Sequence, residues 1–128
     1  MNIRITAGKL TLEAELRDTP TTRALAAALP FDATAQTWGE EVYLTTPISA
    51  KLEADAKQVV EPGTVCFWCD GDALALPYGR TPISTDERPK LASRCNLLGT
   101  LRGDPRALAA IKPGTRIRVE NADATKAR

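Results

Sequence analysis

The chain has 128 residues, enough for one domain with its own core, and its 17 Lys and Arg against 16 Asp and Glu give a net charge of +1 at pH 7. Hydrophobic residues at 43% and charged ones at 26% describe an ordinary globular protein. The mixed charges leave no basic stripe for nucleic acid, and the longest apolar run, Ala24 to Leu29, falls far short of the roughly 20 residues that span a bilayer.

In chain order, Ile3 and Ile5 alternate with polar neighbours, Ala7-Gly8-Lys9 can turn, and Leu10 to Leu16 alternates again, which predicts a β-hairpin. Thr19 caps and Pro20 opens a helix through Ala24 to Leu29, and Pro30 ends it. Phe31 to Thr37 and Glu40 to Thr45 read as strands around a corner at Trp38-Gly39, while Ile48 to Gln58 fits helix or loop. Glu61-Pro62-Gly63-Thr64 is a turn into the strand Val65 to Trp68, and Asp70-Gly71-Asp72 turns into the strand Ala73 to Tyr78. Thr81 to Ser93, rich in Pro, Ser and charge, reads as an exposed loop before the strand Cys95 to Leu101. Asp104-Pro105 starts a second helix to Ile111, and Thr115 to Glu120 alternates as a last strand. About eight short strands and two short helices predict a mainly β, closed or nearly closed barrel over residues 1–121, with 122–128 a flexible tail.

The opening residues carry Arg4 and Lys9 and lack the apolar stretch of a signal peptide. Three cysteines, an odd set, are expected as reduced thiols in a cytoplasmic protein. No histidine occurs, which removes Ser–His and Cys–His nucleophile pairs, histidine bases and the usual zinc-hydrolase ligand sets.

Three segments resemble one family. They are Thr37-Trp38-Gly39-Glu40-Glu41-Val42-Tyr43 with Thr46-Pro47; Pro62-Gly63 through Phe67-Trp68, Gly71, Ala73-Leu74, Tyr78-Gly79 and Thr81-Pro82; and Asn96-Leu97-Leu98-Gly99. In this order, and with the two helices, the chain resembles the small cyclophilin-like proteins of bacteria and archaea over nearly its whole length. The resemblance implies a closed eight-stranded antiparallel barrel with a short helix at each end. Two positions depart from the family pattern: Cys69 stands where Pro usually follows Trp68, and Pro77 where Phe usually precedes Tyr78. Cyclophilin-fold prolyl isomerases carry an arginine in a Phe-His-Arg-Val strand, and the corresponding stretch here is Trp38-Gly39-Glu40-Glu41-Val42. A carboxylate accepts hydrogen bonds and has the wrong charge to polarise a proline amide, so the shared fold is not expected to bring the isomerase chemistry.

Trp38, Tyr43, Trp68 and Tyr78 either fill the core or form the wall of a partly open pocket for a small apolar or cyclic ligand. In the second reading Trp38, Trp68 and Tyr78 border one cavity near the barrel mouth, with Glu40 or Glu41 the nearest polar group. Glu40 and Glu41 are strand neighbours, so they point to opposite faces and form no acid–base dyad with each other. Whichever is buried needs hydrogen bonds or a cation such as Arg80 or Arg94. Cys66-Phe67-Trp68-Cys69 lies on a strand rather than at a helix N-terminus, and with Cys95 it is one ligand short of a structural zinc site. The three thiols are therefore expected in packing, with no metal and no cofactor.

The expected function is binding of an unknown small molecule or peptide at this pocket, without ordinary prolyl isomerase activity and with neither nucleic acid nor membrane as partner. The alternatives are an enzyme using a pocket carboxylate or tyrosine, and a residual isomerase or peptide chaperone.

Overall fold

A computed structural model describes residues 1–123 of the chain. Strands β1 (Asn2–Ala7) and β2 (Leu10–Leu16) make the expected hairpin, with Ile5 opposite Leu12. Helix α1 (Pro20–Ala28) starts where expected: the Thr19 hydroxyl accepts from the Thr22 backbone N–H at 3.1 Å, and the Thr22 hydroxyl accepts from the Thr19 N–H at 2.8 Å. This reciprocal cap satisfies two donors that a helix start otherwise leaves free. Then come β3 (Phe31–Thr34), β4 (Gln36–Thr37), β5 (Glu41–Thr45), β6 (Lys57–Val59), β7 (Thr64–Trp68), β8 (Ala73–Pro77), β9 (Lys90–Leu101) and β10 (Arg116–Asn121). Short 3-10 turns span Cys69–Gly71 and Pro105–Ala110.

Two elements differ from expectation. The helix after Asp104 is a 3-10 turn of six residues: wedged between Gly103 and Pro113, it is short enough for the tighter winding to suffice. Strand β9 begins at Lys90, five residues before Cys95, because Lys90 to Cys95 pairs with β6, a three-residue strand that its polar sequence hides. The last four residues of the supposed exposed loop, Lys90 to Ser93, are thus strand. Its remainder is pinned: Ser84 Oγ accepts from the Thr81 and Lys90 backbone N–H groups at 3.0 and 3.1 Å, which buries Thr81.

The fold is mainly β and antiparallel with two short helices, but it is not a closed eight-stranded barrel. Among the described residues ten strands form one sheet in the order β3-β10-β1-β2-β9-β7-β8-β5-β4, with β6 added on β9. No ladder joins the two ends, β3 and β4. They are consecutive in the chain, separated by the fully buried Ala35, whose N–H donates to the Thr115 carbonyl at 2.8 Å. One extended run therefore pairs with β10 through its first half and with β5 through its second. The chain itself bridges the seam that a ladder closes in a complete barrel.

Alternation divides the apolar residues between two faces. Val42, Leu44, Val65, Phe67, Leu74 and Leu76 point inward with Ile3, Ile5, Leu25, Leu98, Ile117 and Val119 to make the main core. Tyr43, Cys66, Trp68, Ala75, Leu91 and Cys95 gather in a smaller cluster with Val60 on the opposite face of β5, β8, β7 and β9. Gly99 lies where β2 and β7 both approach β9. A methyl group there would overlap the Glu15 carbonyl oxygen and come within 2.8 Å of Leu16 Cα. Both obstacles are backbone, so Gly99→Ala is expected to destabilise the protein by about 1–3 kcal/mol or more. Denaturant unfolding with an unchanged m-value checks this; a neutral substitution would mean that the β2–β9 crossing is looser than described.

Beyond the strands, Ala122 is buried, and Asp123 accepts from the Asn2 backbone and side-chain N–H groups at 2.8 and 2.9 Å. The rest of the expected tail, residues 124–128, lies outside the described residues. Among the described residues no helix is long and apolar enough to cross a membrane.

Candidate functional site

The smaller cluster is open on one side. It encloses a cavity of about 250 Å³ on the outer face of the sheet rather than at the barrel mouth. Its buried parts are Glu41 on β5, Ala75 on β8, and Leu91 and Cys95 on β9. The half-buried rings of Trp38, Tyr43 and Trp68, together with Ala92, form the rim. Tyr43, Ala75 and Cys66 lie opposite one another across three strands, so small side chains sit between larger ones and leave room above them.

Each ring is held by its own local geometry. The Trp68 indole N–H donates to Ser93 Oγ at 2.9 Å, and the ring lies over Gly71 so closely that a methyl group there would overlap it. Trp38 is set by the corner before β5, where its backbone N–H donates to the Glu41 carbonyl at 3.0 Å. The next residue, Gly39, has φ of +58°, and an added Cβ would sit 2.8 Å from Pro82 Cδ. A left-handed backbone with no space beside it leaves glycine as the residue that fits.

The six sequence candidates divide four to two. Trp38, Glu41, Tyr43 and Trp68 share the cavity. Glu40 instead clamps the loop after β8: its Oε1 accepts from the Arg80 N–H at 3.0 Å, and its carbonyl accepts from the Tyr78 N–H at 2.8 Å. Tyr78 packs against the main core. Being one residue beyond Pro77, it falls on the other side of the pleat from Ala75.

Glu41 is the polar centre of the cavity. It is 7% exposed, Oε1 has no hydrogen-bond partner, and no ion pair among the described residues reaches it. Of the two cations suggested for it, Arg80 pairs with Glu87 at 3.3 Å on the outer loop, and Arg94 is exposed on β9. Burial pushes the Glu41 carboxyl up from 4.5 to about 7. The nearby thiols move the same way. Cys95 is pushed up to about 12, by burial first and then by Glu41, and Cys66 is raised by burial, Cys95 and Glu41. Both stay protonated and are poor nucleophiles. The cysteines are all free, and among the described residues no three His, Cys, Asp or Glu side chains are grouped to hold a metal.

Sequence reasoning left Ala75, Leu91 and Ser93 out of the site. The alternation of Leu91, Ser93 and Cys95 was the available signal, hidden by the Pro- and charge-rich stretch that leads into it.

A family model described as cyclophilin-like matches residues 1–120. The chain belongs to the cyclophilin-like family. This cyclophilin-like protein is similar to a hypothetical protein from Archaeoglobus fulgidus whose solution structure is known. The two share 38% sequence identity over 95% of each chain, with a TM-score of 0.82. No curated protein matches.

Proposed function

We propose that this cyclophilin-like protein binds a small organic ligand, free or carried on a peptide, in the cavity lined by Trp38, Tyr43 and Trp68, and that it does not catalyse prolyl isomerisation. The observation that carries this reading is Glu41: a buried carboxyl oxygen with no partner, in an otherwise apolar, aromatic cavity open to solvent. Buried polar atoms are costly to leave unpaired, and a ligand donor is what would satisfy this one. The three free cysteines support a reducing, cytoplasmic setting.

Isomerisation needs a positioned donor on the proline amide, and this cavity offers no cation for it. In a proline-peptide exchange assay the protein is expected to leave the cis–trans rate at background. Acceleration at isomerase-like efficiency that is lost in Trp38→Ala or Glu41→Gln would overturn this half of the proposal. For the binding half, native mass spectrometry of gently purified protein should show a bound small molecule whose removal lowers the melting temperature.

One observation favours a second reading. A carboxyl with pKa about 7 beside a cavity suits a general acid or base, so Glu41 can serve an enzyme working near neutral pH. Chemical turnover of the recovered molecule, abolished in Glu41→Gln while binding persists, would select it.

A further inference from the structure

Resting on the reading of this cavity as a binding site, we infer that its ligand presents a protonated amine, held between the faces of Trp38, Tyr43 and Trp68 and the unpartnered oxygen of Glu41. The charges around Glu41 point this way. On β5 the neighbouring Glu40 faces away and is occupied with the Arg80 N–H. Across from Glu41 on β8 stands Pro77, which carries no charge. The titratable groups acting on it from β7 and β9 are the thiols of Cys66 and Cys95, both kept neutral by burial. Among the described residues no basic group forms an ion pair with the carboxylate, and burial alone shifts it.

Each class of ligand fares differently in such a site. An anion meets the carboxylate and the electron-rich ring faces, and is repelled by both. An apolar ligand leaves Oε1 unsatisfied and desolvates it further. An alcohol supplies a hydrogen bond but no charge. An ammonium group supplies both, and it adds cation–π attraction to rings that line the same space. The cavity of about 250 Å³ lies below the roughly 300–1,000 Å³ of drug-sized sites, so what enters is small. A free amine and a lysine side chain have this chemistry in common.

The test uses the full chain and follows tryptophan fluorescence and calorimetric heat with benzylamine, benzyl alcohol, benzoate and N-acetyl-lysine methylamide. At pH 8 benzylamine should bind at least about tenfold more tightly than benzyl alcohol, and benzoate should not bind. Because the free Glu41 carboxyl titrates at about 7, amine affinity should be about tenfold weaker at pH 6 than at pH 8, with alcohol affinity unchanged. Glu41→Gln should bring the amine down to the alcohol's affinity. If that variant does not fold, the pH profile of the native chain decides alone. Alcohol binding as tightly as amine, or amine affinity flat from pH 6 to 8, would overturn the ammonium inference and leave the pocket standing. Failure of all four probes to bind would overturn the pocket as well. Tighter binding of the lysine derivative than of benzylamine would assign the amine to a peptide, and the reverse to a free metabolite.

Discussion

Phe67→Ala is expected to cost about 3–5 kcal/mol of stability, and Trp68→Ala distinctly less. The two residues are neighbours on β7 and point to opposite faces. Phe67 is 0% exposed in the main core, among Val42, Leu44 and Leu74, where truncation leaves a void that surrounding strands cannot collapse. Trp68 is half-buried at the rim of the outer cavity, so its loss enlarges an opening that already exists. What Trp68→Ala does lose is contact with Gly71 and the hydrogen bond to Ser93 Oγ, the latter worth about 1 kcal/mol. Denaturant unfolding of both variants measures the difference. Equal losses would show that the indole is core, and that the cavity beside it is too small to matter.

Glu41→Gln should change how stability depends on pH, and the direction follows from the carboxyl's position. Its pKa in the folded protein is about 7, above the 4.5 of an ordinary glutamate. Below pH 4.5 the group is neutral in both folded and unfolded chains, and its contribution is fully present. As pH rises to about 7 the unfolded chain ionises first, and stability falls by up to about 3 kcal/mol. Gln cannot ionise, so the variant should gain on the native protein by that amount between pH 4 and pH 8. The buried amide it introduces costs roughly 1–3 kcal/mol at every pH if unpaired, which lowers the whole difference without changing its slope. Melting curves of the two proteins across this range give the difference directly, with the other carboxylates cancelling. A difference that stays flat would mean that Glu41 does not titrate in this window.

Local rules carried much of the fold. Thr19-Pro20 and Pro30 delimited α1, and the turns at Pro62-Gly63 and Gly71 delimited β7, because capping and turn chemistry act within a few residues. What escaped was non-local. β6 has three residues, two of them polar, and it becomes a strand because β9 lies beside it; β9 extends back to Lys90 for the same reason. The count of eight strands failed there and at Ala35, where one extended run divides between two partners.

The site was legible in its aromatic and acidic motif but not in its facing. Alternation says that Glu40 and Glu41 part company, yet which of them is buried depends on which side of β5 meets the main core. Tyr78 was misplaced by the same single-residue ambiguity. Placing the cavity on the outer face needed the pairing of four strands, which no short segment contains.

The sheet order also has a consequence for synthesis. β10 lies between β1 and β3, so two strands made within the first 34 residues become neighbours of a strand that begins at Arg116. During translation the β1–β2 hairpin emerges well before β10 and keeps an unpaired side until β10 has left the ribosome. Completion of the sheet must then wait for β1 to meet β10, the kind of long-range closure that makes folding slow and exposes nascent strands to unwanted partners.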